Sequence, residues 1–504
     1  MVFSSISFLF YFLPAAILLY LALSVPVRVG WRPALWRRLG NLFLFLASCL
    51  FYFWGEGFLL WIMLASTLID YLAGLLISGG YRRGEVRELS AGAPRSGWQR
   101  LGLAVSIVSN LSFLGFFKYF NFFVESFNSS MAAVGLVGAQ WQDVAAVTLP
   151  LGISFYTFQS MSYTIDVYRG EVKATRNLID FACFVTMFPQ LVAGPIVRYR
   201  DVATQLVHRV ISRPCFVAGI RRFVVGMAKK VLVANVVAKP ADQIFALAAA
   251  DLTPFVAWFG VVCYALQIYF DFSGYSDMAI GLGRMFGFDF PENFDYPYIA
   301  RSIQDFWRRW HISLSTWFRD YLYIPLGGSR GSAPRTYANL VTVFFLCGLW
   351  HGAAWTFVVW GLFHGAFLVV ERAGLDRILR RAPVVLRHAY TLLVVVVGWV
   401  LFRAETLPHA GGYLAALVGL GEGDAVRYPL MRFVTSHVAV MTAVGVAFSA
   451  PLLPAMRRRC SEHRSRAAIA AVDFAELTGL AVLMALVTVH LASGAHNPFI
   501  YFRF

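Results

Sequence analysis

Residues 337–371 read YANLVTVFFLCGLWHGAAWTFVVWGLFHGAFLVVE, and no Asp, Glu, Lys or Arg interrupts them before Glu371. A helix needs roughly 20 apolar residues to cross a bilayer, so this run holds two spans, 337–350 and 353–371, divided at His351 and Gly352. Working outward, similar runs recur at 5–24, 41–54, 57–78, 101–125, 145–165, 177–195, 215–238 and 253–271, and again at 388–403, 433–453 and 468–492. Several are short, which predicts tilted, broken or partly inserted helices. A weaker apolar piece at 411–420, flanked by glycines, reads as a re-entrant or surface segment. The pattern predicts an all-α polytopic membrane protein, a single transmembrane domain over 1–504 with about 11–13 transmembrane helices.

Composition agrees. Of 504 residues, 59% are hydrophobic and 14% charged, where a soluble domain carries about 25% charged residues. The excess of 43 Lys+Arg over 27 Asp+Glu, a net +16, would suggest nucleic acid in a soluble protein. Here the basic residues gather in 25–40, 79–100, 197–230, 372–387 and 456–466, while 128–144 contains none. That is the distribution of the positive-inside rule, and no nucleic-acid module accompanies it, so nucleic acid is excluded as a partner. The rule predicts a cytoplasmic first loop and an extracytoplasmic N-terminus; counted forward, it places the C-terminus outside as well. The run Ile6–Leu23 lacks a basic leader and is followed by Arg28, Arg32, Arg37 and Arg38, which reads as an uncleaved first span. Cys49, Cys183, Cys215, Cys263, Cys347 and Cys460 form no CxxC pair and read as small apolar residues, neither disulfides nor metal ligands.

Segment 272–336 departs from this pattern. Asp277, Arg284, Asp289, Glu292, Asp295, Arg301, Asp305, Arg308, Arg309, His311, Arg319 and Asp320 are interleaved there with aromatic residues, just after Asp271. At helical period, Ile299, Ile303, Phe306, Trp310, Leu314, Trp317 and Tyr321 form an apolar stripe, with Gln304, Arg308, His311 and Ser315 on another face. This predicts one amphipathic helix with His311 on its polar side.

An ionisable residue at membrane depth is costly and usually lines a cavity or pathway. His351 sits in Cys347-Gly348-Leu349-Trp350-His351-Gly352, where the two glycines permit close approach of another backbone or a ligand. Its bland reading is a histidine bonded to a neighbouring helix; its functional reading is a general base, because a buried neutral imidazole accepts a proton. His311 and His351 together suggest a shared polar pocket, whereas His364 reads as a helix-contact residue. Cys347 shares a helix face with His351, so a nucleophilic pair is conceivable, but its apolar neighbours favour a packing cysteine. No HExxH, phosphate loop or GxSxG elbow is present.

The run 304–328, QDFWRRWHISLSTWFRDYLYIPLGG, followed by GLWHG at 348–352, resembles the membrane-bound O-acyltransferase (MBOAT) superfamily, and within it the bacterial alginate O-acetyltransferase branch. MVFSS at 1–5, LGISFYTFQ at 151–159, FPQLVAGPIVR at 188–198 and FIYFRF at 499–504 extend the resemblance over almost the whole chain. The resemblance implies that His351 is catalytic, that His311 supports it, and that the helices form a ring around a central tunnel. It implies an acetyl thioester, acetyl-CoA, as donor, with no bound cofactor and no metal. It also implies an exported polysaccharide such as alginate as acceptor, reached through an extracytoplasmic SGNH-type partner and export machinery in a bacterial inner membrane. Asp305, Arg308, Arg309, Arg319 and Trp350 are expected to shape the pocket or touch substrate. Arg198, Arg200, Arg221, Arg222, Lys229 and Lys230 could attract a phosphorylated donor, though each also serves as a topology determinant. The competing classes are another acyl transfer within the superfamily (to a D-alanyl, lipid or peptide acceptor pathway), a transporter, and a non-catalytic scaffold. The absence of a clear internal repeat and the concentration of charge around two histidines speak against a transporter.

Overall fold

The computed structural model describes residues 2–28, 33–80, 86, 88–142, 144–421, 423, 426–452 and 466–494. Cys460, the basic stretch 456–465 and the 499–504 motif lie outside the described residues. All regular elements among the described residues are helical, and contacts divide the chain into two compact units. One comprises 1–2, 7–217 and 282–291; the other comprises 3–6, 218–281 and 292–504.

In the first unit a π-helical turn, Phe8–Phe12, leads into α1 (Leu13–Arg28). There follow α2 (Pro33–Glu56), α3 (Leu60–Ser78), α4 (Gly97–Ala133), α5 (Ile153–Arg169), α6 (Leu178–Thr186), α7 (Phe188–Leu191) and α8 (Tyr199–Val207). Gly57, at φ +56°, separates α2 from α3. A capping box opens α4: the Gln99 amide donates to Ser96 Oγ at 3.3 Å and the Ser96 amide to Gln99 Oε1 at 2.8 Å. The run 177–195 is broken between α6 and α7, where Pro189 cannot continue a helical ladder. The Phe188 amide released there donates to Ser48 Oγ of α2 at 2.9 Å. Polar side chains lock α3, α4 and α5 together. Fully buried Asp70 accepts from Ser106 Oγ (2.5 Å) and from Asn110 Nδ2 (2.9 and 2.8 Å), and Ser106 meets Thr164 at 2.7 Å. Where hydrocarbon offers no alternative partner, such bonds fix which helix faces which.

The second unit contains α9 (Arg213–Ala228), which runs through π-helical Lys229–Ala234 into α10 (Asn235–Phe245) without interruption. It continues through α11 (Pro254–Met285), α12 (Ile303–Arg309), α13 (Ile312–Phe318), α14 (Ala333–His351) and α15 (Trp355–Val370). Helices α16 (Asp376–Arg381), α17 (Val384–Arg403), α18 (Leu407–Leu417), α19 (Ser436–Phe448) and α20 (Arg466–Ala492) complete it. Phe3 of the N-terminal motif stacks on Tyr275 at 4.6 Å. The piece at 411–420 belongs to α18, which starts at the Thr406 cap and buries Ala410, Tyr413 and Ala416.

Seven helical stretches of the described residues are long and apolar enough to cross a membrane, one of them, Pro33–Ser78, holding both α2 and α3. The other apolar runs form shorter or broken helices such as α6–α7 and α19. The chain is therefore an all-α polytopic membrane protein.

Two sequence expectations are corrected. The span at 253–271 does not stop there but continues to Met285. Its charges do not end the helix because α9 and the π-helical segment neutralise them: Lys230 Nζ lies 2.8 Å from Asp271, Lys229 Nζ 2.6 Å from Asp277, and Arg222 2.8 Å from Asp277. The backbones meet closely enough for this because a Cβ on Gly226 would stand 2.6 Å from the Gly274 carbonyl oxygen. The single amphipathic helix, in turn, is two short helices. The break falls at His311, whose φ of +45° is left-handed.

Lys230 and Asp271 are each 2% exposed, so removing one partner strands a buried charge. Lys230→Met is expected to destabilise the protein by about 3–5 kcal/mol, and adding Asp271→Leu to recover most of the loss. Denaturant unfolding in detergent measures both.

Candidate active site

Helix α12 is held at its start by two caps. Ser302 Oγ accepts the Asp305 amide at 3.0 Å, and buried Glu371 accepts the Ile303 and Gln304 amides at 2.6 and 3.1 Å. The helix ends at Trp310, and His311 turns the chain into α13. A left-handed backbone costs a residue with a Cβ about 1–2 kcal/mol. Asn293 offsets that cost. Its backbone carbonyl accepts the Ile312 amide at 2.9 Å, and its Oδ1 accepts Ser313 Oγ at 2.8 Å and His311 Nδ1 at 3.2 Å. Its Nδ2 donates to Ser276 Oγ of α11 at 3.0 Å, which fixes which end of the amide faces the imidazole.

The turn moves His311 off the polar face predicted for it and into the interior, where it is 0% exposed. Its ring stands edge-on to Phe272 at 4.6 Å and 6.0 Å from Trp350. Burial, reinforced by nearby His351, pushes its proton affinity well below the ordinary histidine range, so the ring is neutral. With Nδ1 donating to Asn293, the lone pair is on Nε2.

His351 is the last residue of α14 and is 7% exposed. Its Nδ1 lies 2.8 Å from the Cys347 carbonyl oxygen, which can only accept, so Nδ1 carries the proton and Nε2 the lone pair. The ring is enclosed by Trp350 (5.0 Å), Trp360 (4.8 Å) and Phe402 (5.5 Å). The Cys347 thiol is 3.7 Å from the same Nδ1, a nitrogen already committed to the carbonyl, which leaves the cysteine a packing residue. Close approach of α15 sets the position of α14: a Cβ on Gly348 would lie 2.4 Å from the Phe357 carbonyl oxygen.

His311, Trp350 and His351 thus converge, with Trp350 in ring contact with both histidines. Asp305 and Arg309 pair with each other at 2.9 Å, and Arg309 also reaches Asp295 at 3.1 Å; they brace α12 and its loop. Arg308 and Arg319 line a cavity of about 420 Å³ that reaches Cys347, the residue whose carbonyl holds His351. A second cavity, about 620 Å³, is lined by Arg222, Lys229, Asp277 and Ser276 and reaches Asn293, which holds His311. His364 packs against Trp307 and Trp360, at 5.3 and 5.1 Å, and fills the space over Gly398 of α17. Sequence reasoning missed Asn293 and Phe402. Neither carries a local signal, because each acts through a contact made only in the fold.

Gly348→Ala is expected to force α14 and α15 apart at a cost of about 1–3 kcal/mol, read as a lower unfolding midpoint, because the obstructing atom is backbone.

Comparison with known proteins places the chain in a family. Residues 169–406 match the model of MBOAT, the membrane-bound O-acyltransferase family, a stretch that contains both histidines and both cavities except for Glu476 at the rim of the larger one. Over their full lengths the chain and the probable alginate O-acetylase AlgI of Azotobacter vinelandii are 43% identical. With the protein of the same name from Pseudomonas putida the identity is 42%, again over the whole of both chains. A peptidoglycan O-acetyltransferase of Helicobacter pylori is 36% identical over 83% of this chain and 80% of its own. The chain belongs to the membrane-bound O-acyltransferase family.

Proposed function

We propose that this O-acyltransferase carries an acetyl group from acetyl-CoA in the cytoplasm across the membrane for O-acetylation of an exported acidic polysaccharide such as alginate. The observation that carries the reading is the pair of buried imidazoles around Trp350, each held at Nδ1 by a neutral oxygen and each approached by a cavity. Full-length similarity to proteins named as alginate O-acetylases supports the acceptor class.

In this reaction His351 Nε2 takes the proton of the acceptor hydroxyl. The oxygen attacks the thioester carbonyl carbon; the C–O bond forms, the C–S bond breaks, and the departing sulfur takes the proton from His351. Trp350, Trp360 and Phe402 keep water from competing as acceptor. His311, neutral and fixed by Asn293, supports the reacting groups from the other side of Trp350. Arg308 stands at the smaller cavity, where its cationic side chain draws a phosphorylated donor in, while Arg222 and Lys229 at the larger one are held by Asp277. Asp305 and Arg309 shape the approach without touching substrate. The protein sits in a bacterial inner membrane with its basic loops in the cytoplasm. Acetyl reaches the sugar through an extracytoplasmic SGNH-type partner and the export machinery.

Acetyl transfer from labelled acetyl-CoA to a co-purified partner or polysaccharide tests the roles. His351→Ala is expected to lose at least about 100-fold in rate while remaining folded; wild-type labelling by that variant would move the base elsewhere. Asn293→Ala is expected to lower kcat about tenfold with little change in KM, by freeing the His311 turn, and Asn293→Asp to recover part of it.

A further inference from the structure

A third cavity, about 610 Å³, lies where α10, the start of α19 and the end of α20 meet. Its volume is within the ~300–1,000 Å³ range of small-ligand sites. Lys239 and Arg432 line it with His437 and His490, whose rings are 6.0 Å apart. Among the described residues, neither Lys239 nor Arg432 forms an ion pair; Arg432 only overlies the Tyr428 ring. Asp242 is the acidic residue of the lining, and Arg403 of α17 engages it at 2.9 Å. The cavity therefore presents uncompensated positive charge. Asn235, Gln243 and Thr435 add hydroxyl-reading groups, and Phe433 an aromatic surface.

Three elements place this cavity on one face, on the orientation proposed above. From Arg213 to Lys239 the helix is continuous and rises about 39 Å, so Lys239 lies at the far end from the basic start of α9. His437 begins α19, and His490 ends α20 at the opposite end from its start at Arg466. The cavity thus opens on the extracytoplasmic face, where the positive-inside rule disfavours Lys and Arg, so cations retained there need a reason other than topology. A chain of contacts links it to His351. Arg403, which holds Asp242, follows Phe402, whose ring packs 5.5 Å from His351. Arg432, His437 and His490 fall outside residues 169–406, so this wall is not part of the stretch shared with the family as a whole.

We infer that this cavity holds a carboxylated sugar polymer, a polyuronate, beside the extracytoplasmic partner that passes acetyl to it, with Lys239 and Arg432 binding its carboxylates. The inference rests on the proposed acceptor class and orientation. A polyuronate fits better than a lipid headgroup because the lining pairs separated cations with amides, a hydroxyl and rings suited to sugar hydroxyls and faces.

Binding of a short oligouronate to the full-length protein in neutral-lipid nanodiscs tests it, alongside the carboxyl-reduced oligomer of the same length. The expected result is salt-sensitive binding of the acidic oligomer alone, weakened about tenfold or more by Lys239→Gln combined with Arg432→Gln, both exposed positions. No binding by wild type, or equal binding by the double variant, overturns the inference. Equal displacement of the oligomer by anionic phospholipid vesicles and by free oligouronate, with retention of lipid lost in the variant, makes this a lipid site and overturns it too. Acetyl transfer measured on the same wild-type preparation keeps the two readings apart. Binding without any transfer, in a preparation that includes the partner, would sink the acetyl-CoA reading and leave the docking site; transfer without binding would do the reverse.

Discussion

Hydrocarbon cannot hydrogen-bond, so every polar group this chain carries into the membrane has to find its partner inside the protein. That constraint organises both units. Asp70 is met by Ser106 and Asn110, Asp271 by Lys230, and the start of α12 by Glu371. Each of these contacts joins elements far apart in sequence, and each selects one helix arrangement among many that would bury apolar surface equally well. Apolar packing makes the helices insert; the sparse polar contacts decide which helix touches which.

The same requirement builds the active site. Without Asn293, the left-handed turn at His311 would leave amide, hydroxyl and imidazole groups unmatched in the interior. With it, one side chain and its carbonyl satisfy all three and carry the load to Ser276 on α11. The histidine is thereby tied to the helix whose charges are already fixed by α9. A network of this kind is stiff, and stiffness is what a group that must meet a reacting atom requires.

The membrane class was legible in the apolar runs, because insertion depends on local composition. So was most of the apolar stripe: Ile303, Phe306, Trp310, Leu314, Trp317 and Tyr321 are buried, while Ile299 is half-buried, even though the helix carrying them is broken. The break itself was not legible: position 311 has no glycine, and its conformation is imposed by Asn293, eighteen residues away. The length of α11 was hidden for a similar reason. Asp271 and Asp277 read as the end of a span until Lys230, Lys229 and Arg222, roughly 40–55 residues earlier, are seen to neutralise them. His351 stood out in the sequence because an isolated imidazole in a long apolar run is conspicuous. Asn293 was missed because an asparagine in a charged loop is not.

The partner of His351 bears on the role proposed for it as the base. A carboxylate behind an imidazole stabilises the protonated ring and holds the proton there, whereas a backbone carbonyl orients the ring without adding a negative charge. At the end of α14 such a carbonyl is at hand, because an oxygen with two lone pairs accommodates an imidazole N–H beside its helical bond. Acyl transfer to a hydroxyl needs the base only briefly: the proton taken from the acceptor must go on to a thiolate whose conjugate acid has an ordinary pKa of about 8.5. A base that accepts readily and releases readily suits that exchange better than one locked into a charged pair. The neutral Cys347 carbonyl supplies orientation alone, and in a low-dielectric pocket it leaves the imidazolium no reason to persist once sulfur departs.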